Sequence, residues 1–133
     1  MTTTTLPASL SYGPQPIVSD ETLLAADGPS ATIITNTGGN YTFGVNFDAS
    51  VSNAQLGDLA GHGFTIQATN PGGAAVQILG SSNTLEGNVL SAHSTTGGAD
   101  LITGSGANNL HIEGNTFQGT GFALAYVNGA LDT

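Results

Sequence analysis

The sequence predicts an all-β chain coiled into a short β-solenoid of about four rungs, and three observations predict it. First, Leu85-Glu86-Gly87-Asn88-Val89-Leu90 is echoed by Ile112-Glu113-Gly114-Asn115-Thr116-Phe117 at an offset of 27 residues. Second, from Ala31 onward the apolar residues come in short clusters of strand length, and such clusters recur at 19 to 27 residues: Ile66 before Leu85, Val76 to Ile78 before Leu101-Ile102, and Leu101-Ile102 before Ala125-Tyr126. Spacings of that size suit the rungs of a coil better than the strands of a sandwich. Third, polar corners separate the clusters, as in Asn70-Pro71-Gly72-Gly73, Gly80-Ser81-Ser82-Asn83 and Gly104 to Asn109. Glycine and asparagine supply the positive φ that tight corners require.

The elements follow in order. Residues 1–18 read as an extended arm, because Pro7, Pro14 and Pro16 forbid a helix and disfavour a central strand. Ser19 to Ala26 reads as a short capping helix, with Ser19 as N-cap, Asp20 and Glu21 in the first turn and Asp27-Gly28-Pro29 as its stop. Residues 19–133 then form one domain, with Leu23 and Leu24 covering its first rung. Strands are expected at Thr32–Thr35, Tyr41–Phe47, Phe64–Gln67, Ala75–Leu79, Thr84–Glu86, Asp100–Thr103, Leu110–Glu113 and Phe122–Val127. Tyr41, Phe43, Val45 and Phe47 alternate with polar or small residues, the period of a strand with one buried face.

Charge narrows the function. The chain of 133 residues has Lys+Arg 0 against Asp+Glu 9, a formal net charge of −9. Proteins bind nucleic acid by displacing counterions with Lys and Arg, so nucleic acid is excluded as a partner, and anionic membrane surfaces with it. Phosphoryl-transfer enzymes are disfavoured for want of a loop lysine or clamp arginine. Cysteine is absent, which removes disulfides, thiolate metal sites and thiol catalysis. No apolar run is long enough to span a membrane, and Met1-Thr2-Thr3-Thr4-Thr5-Leu6-Pro7 lacks the basic and apolar regions of a signal peptide.

Candidate site residues are few. Glu86 and Glu113 occupy equivalent positions of the two matching units. On adjacent rungs their carboxylates would lie about 4.8 Å apart, an arrangement that reads as a cation site or as an acid/base pair. With Asp100 they are the candidate calcium ligands; the competing reading has both glutamates solvated at a corner. Asn88 and Asn115 align in the same way and predict a stacked amide ladder. His62, His93 and His111 share no HxH or HExxH spacing, which argues against zinc; His111, between Leu110 and Ile112, is expected to face solvent. No serine sits in a Gly-x-Ser-x-Gly elbow, and no catalytic residue is assigned.

The units Leu85 to Leu90 and Leu110 to Gly119 resemble the repeats of right-handed parallel β-helix proteins of the pectate-lyase-like superfamily. That resemblance implies aliphatic residues inside, asparagines stacked at a turn, and a right-handed coil. Enzymes of that superfamily act on polyanionic sugars and lean on Arg or Lys, which this chain lacks, so a non-enzymatic role is expected. Gly97 to Gly106 is similar to the Gly-Gly-x-Gly-x-Asp calcium repeats of proteins exported by type I secretion, though it departs in spacing and carries one acid, Asp100. This second resemblance implies calcium and export without a cleaved leader.

A short solenoid exposes an apolar core and unpaired strand edges at its ends. No lysine guards these edges, and nothing after Phe122–Val127 resembles a cap. The sequence therefore predicts an extracellular or cell-surface structural subunit. It would assemble head to tail with itself into a filament, surface fibre, adhesin or biofilm matrix, its N-terminal arm pairing with a neighbour. The alternative is a module that binds or hydrolyses cell-surface or matrix polysaccharide, for which an exposed aromatic platform would be needed.

Overall fold

Runs of alternating apolar residues, cut every few positions by Gly, Asn or Pro, are too brief for stable helices and suit strands. The protein is described by a computed structural model over residues 2–39, 42–93, 98–120 and 122–126, and all regular structure among these residues is strand. These described residues make five successive circuits of three strands each. The first comprises β1 (Thr2–Leu6), β2 (Ser9–Tyr12) and β3 (Gln15–Pro16); the second β4 (Glu21–Ala25), β5 (Thr32–Asn36) and β6 (Phe43–Phe47). The third comprises β7 (Gln55–Leu56), β8 (Thr65–Ala68) and β9 (Ala74–Ile78); the fourth β10 (Thr84–Glu86), β11 (Val89–Ala92) and β12 (Ala99–Thr103). The fifth is β13 (His111–Glu113), β14 (Thr116–Phe117) and β15 (Phe122–Tyr126).

Each sheet takes every third strand. The first runs β1-β4-β7-β10-β13, the second β2-β5-β8-β11-β14 and the third β3-β6-β9-β12-β15, and all neighbours are parallel. This all-β, three-sheet arrangement is compatible with a parallel β-helix. The 27-residue echo is true strand pairing, because Leu85 lies beside Ile112 and Glu86 beside Glu113. Val76 likewise lies beside Leu101. Ile66, by contrast, pairs with Leu90 and not with Leu85, whose earlier neighbour is Leu56. Leu101 pairs with Leu124, one residue short of the expected match.

The capping helix is corrected. Residues 21–25 form strand β4, held between β1 on one edge and β7 on the other. Asp20 has φ 61°, outside helical space. A helix of two turns has little stability of its own, whereas Leu23 and Ala25, two apart on a strand, both reach the core and are buried. The extended segment before it supplies β1 to β3, which pair with β4 to β6 of the same chain. Each sheet consequently has five strands, one more than the rung count expected from the sequence. Tyr41 and residues 127–133 lie outside the described residues.

The core is built from like over like. Leu23, Leu56 and Leu85 adjoin in the first sheet, Ile34, Ile66 and Leu90 in the second, Val45, Val76 and Leu101 in the third, and all are buried. At the final circuit the cover thins: Ile112 is only partly buried, and Phe117, beside Leu90, is 37% exposed.

Corners are aligned in the same way. Asp20, Asn53, Ser82 and Asn109 all take positive φ just before the strands of the first sheet, and Gly57, Gly87 and Gly114 just after them. A Cβ on Gly63 would collide with the backbone of Gly87 in the next circuit. Buried asparagines satisfy backbone groups that the corners leave unpaired. Asn88 accepts from the Phe64 N–H at 2.9 Å through Oδ1, donates to the Leu56 carbonyl at 2.9 Å, and its Nδ2 reaches Asn115 Oδ1 at 3.2 Å. Asn36 and Asn70 form a second such pair, at 3.3 Å, between the second and third sheets.

Replacing Asn88 by alanine leaves the Phe64 N–H and the Leu56 carbonyl without these partners, each at a cost of about 1–3 kcal/mol. Urea unfolding of Asn88→Ala should show a loss of at least about 2 kcal/mol. A loss within the range of ordinary surface substitutions would mean that the ladder is not structural.

Candidate metal centre

In β10 and β13 alternate residues point to opposite sides. Leu85 turns inward and is buried, with Ile112 beside it. Thr84, Glu86, His111 and Glu113 therefore project from the outer face of the first sheet. Two residues apart on one strand, His111 and Glu113 share that face, and the register sets Glu86 directly beside Glu113. His111 Nε2 lies 3.1 Å from Glu86 Oε1 and 2.9 Å from Glu113 Oε2. The potential ligand atoms of the three side chains all fall within 4.8 Å of one another. Glu86 is the most enclosed, its side chain 17% exposed against 53% for His111. Gln55 steadies it, with Nε2 3.4 Å from Glu86 Oε2 and 2.9 Å from the Gly57 carbonyl.

Of the residues singled out in the sequence, Glu86 and Glu113 thus come together, on a strand pair and not at a corner. Asp100 does not join them. It sits in β12 of the third sheet, is buried, and spans a corner by accepting from the Ala92 N–H at 2.7 Å and the Gly119 N–H at 3.1 Å. Burial pushes its carboxyl above the ordinary aspartate range, outweighing the opposing pull of those two N–H groups and of nearby His93. Asp100 is a backbone clamp. Gly97, at the head of the calcium-like stretch, lies outside the described residues.

His111 is exposed, as its position between two inward residues predicts. Its partnership with the two glutamates was not read from the sequence. The legible signal was His111-x-Glu113 combined with the 27-residue offset, which adds Glu86 from the neighbouring strand. His62 belongs to a separate turn, where Asp58 accepts from the N–H groups of Ala60 and His62 and faces His62 Nδ1 at 2.8 Å. Burial alone would raise the Asp58 carboxyl, but those hydrogen bonds and the His62 charge prevail and hold it below the ordinary value. His93 Nε2 lies 2.6 Å from Ser91 Oγ.

Chemically, two carboxylates and an imidazole on one face can share a proton or hold a divalent cation.

The raised Asp100 carboxyl has a pH consequence. The folded state holds its proton more tightly than the unfolded chain does, so stability falls as pH rises from the ordinary value of 3.8 through the raised one. Compared with Asp100→Asn, the wild type should lose ground over that interval and keep a constant difference above it. Urea midpoints of both proteins across that pH range check this; a difference independent of pH would contradict it. Neither family models, nor curated proteins, nor solved structures match this chain, so the His111–glutamate cluster has to be read from its own chemistry.

Proposed function

We propose that the protein is a right-handed parallel β-helix that serves as a structural subunit, stacking end to end with copies of itself into an extracellular or cell-surface filament. The hand follows from the strong preference of parallel crossovers for right-handed connections. The observation that carries the assembly is the outward-turned backbone of β1 and β13, the outermost strands of the first sheet among the described residues. At one end, the Thr2 N–H donates to Asp20 and the Leu6 carbonyl accepts from Ala26. Strand alternation then turns the N–H and C=O groups of Thr3 and Thr5 away from the body of the sheet. At the other end, the His111 N–H donates to Asn83 and the Glu113 carbonyl accepts from Gly87, which turns the backbone of Ile112 outward.

Parallel strands at both ends allow a neighbour's β1 to continue the ladder beyond β13 at the same spacing of about 4.8 Å. Stacking would also cover Ile112 and Phe117, as Leu85 and Leu90 are covered one circuit earlier. No lysine opposes such pairing, because the chain has none. Pro16 restricts pairing along β3, so the first and second sheets carry the contact. Here the N-terminal segment acts through its outer edge while its inner edge stays paired with its own chain.

Thr3→Pro/Thr5→Pro removes two outward N–H groups without touching the pairing of β1 with β4. Negative-stain microscopy and light scattering should show filaments growing with concentration for the wild type, and at least a ten-fold loss of polymer for the variant at equal far-UV circular dichroism. A wild type that stays monomeric at its highest soluble concentration would refute assembly, and unchanged filaments of the variant would remove β1 from the contact.

A further inference from the structure

The chain has no lysine or arginine, so among its side chains only histidine can balance a carboxylate, and ions from solution supply the rest. One place concentrates that need. Glu86 and Glu113 are locked side by side by the β10–β13 register, and the one imidazole between them directs a single nitrogen at both. One N–H can be well aligned with only one of two carboxylates at a time. With that nitrogen unprotonated, a lone pair and two carboxylate oxygens converge on the same small volume.

We infer that Glu86, His111 and Glu113 bind a divalent transition-metal ion of the zinc class. Bond lengths of about 2.0–2.2 Å in tetrahedral geometry set donor–donor separations of about 3.3–3.6 Å. The 3.1 Å and 2.9 Å distances of His111 Nε2 from Glu86 and Glu113 lie within a few tenths of an ångström of the short end of that span, and all three potential ligand atoms fall within 4.8 Å of one another, so the adjustment asked for is of side-chain size. The imidazole decides the class of metal. Zinc and its neighbours take nitrogen and carboxylate ligands together, whereas calcium wants six to eight oxygens and gains nothing from a histidine. Asp100, the third oxygen donor that the sequence suggests for calcium, lies in another sheet with both oxygens on backbone N–H groups.

Gln55 acts as a positioning residue, its amide holding Glu86 while also anchored to the Gly57 carbonyl. Because the ligands come from adjacent circuits, the ion would pin β13 to β10 where the final circuit is least covered. This inference is independent of filament formation.

Isothermal titration of the metal-stripped full chain with zinc chloride, and separately with calcium chloride, tests it. Cobalt(II) substitution reports the ligand field, and the imidazole resonances in NMR report which histidine is bound. The expected result is one zinc per chain, perturbation of His111 but not of His62 or His93, and a visible cobalt spectrum. Affinity should fall at least ten-fold in His111→Gln and in Glu86→Gln, while calcium at equal concentration leaves the zinc isotherm unchanged. His62→Gln serves as the control and should bind as the wild type does. Zinc binding that survives His111→Gln, zinc perturbing His62 in place of His111, calcium displacing zinc, or no zinc binding would each overturn the inference. The NMR readout uses the wild type and stands even where a variant folds poorly.

Discussion

In-register parallel pairing is the constraint on which everything else depends. Residues one circuit apart in the same sheet are forced to lie side by side at about 4.8 Å, so each position has to tolerate its own counterpart. Leucine beside leucine and isoleucine beside isoleucine satisfy this inside, where shape repeats and burial adds. Asparagine beside asparagine satisfies it at the corners, because an amide both donates and accepts, as Asn88 and Asn115 show. Glutamate beside glutamate does not satisfy it. Glu86 and Glu113 are the one charged residue pair in the described register, and His111 is drawn to the same face by the same periodicity.

The corners explain the composition. Each circuit turns three times in fewer than 35 residues, so many residues occupy corners where a side chain would strike the next circuit. Gly63 and Gly87 show this in adjacent circuits: a Cβ on either would meet a backbone carbonyl. The four non-glycine residues with positive φ are Asp20, Asn53, Ser82 and Asn109, whose short polar side chains suit tight turns. The abundance of small and amide residues is thus geometric in origin and carries no message about a reaction.

Legibility followed the repeat. Where two circuits share several residue types in a row, as around Glu86-Gly87-Asn88 and Glu113-Gly114-Asn115, the sequence showed the pairing residue for residue. Where they share only hydrophobicity, it misled: Ile66 was set against Leu85, though these belong to different sheets, because any aliphatic residue resembles any other. Glu21 to Ala25 was misread for a related reason. Its acids and apolar residues suit a helical turn locally, and what makes it a strand is pairing with β1 and β7, partners distant in sequence. The two-residue strands β3, β7 and β14 are too short for any period. The cluster around His111 has no spacing signature within one segment, because its partners are distributed across two strands.

The shortage of positive charge acts differently at the two kinds of surface. Along the outer face of the first sheet it leaves two adjacent carboxylates with a single titratable imidazole, and mobile cations must supply the rest. At the sheet ends it leaves the outward backbone groups of Thr3, Thr5 and Ile112 without the lysines that often discourage a further strand. The aligned glutamates work against indefinite stacking unless they are neutralised, because a strand carrying like charge in the same row would add a third carboxylate at about 4.8 Å. The N-terminal strand avoids this, since its five residues Thr2 to Leu6 are all uncharged. A neighbour's β1 could therefore lie beside His111 and Glu113 without enlarging the acidic row, whereas β13 against a second β13 would bring further carboxylates together.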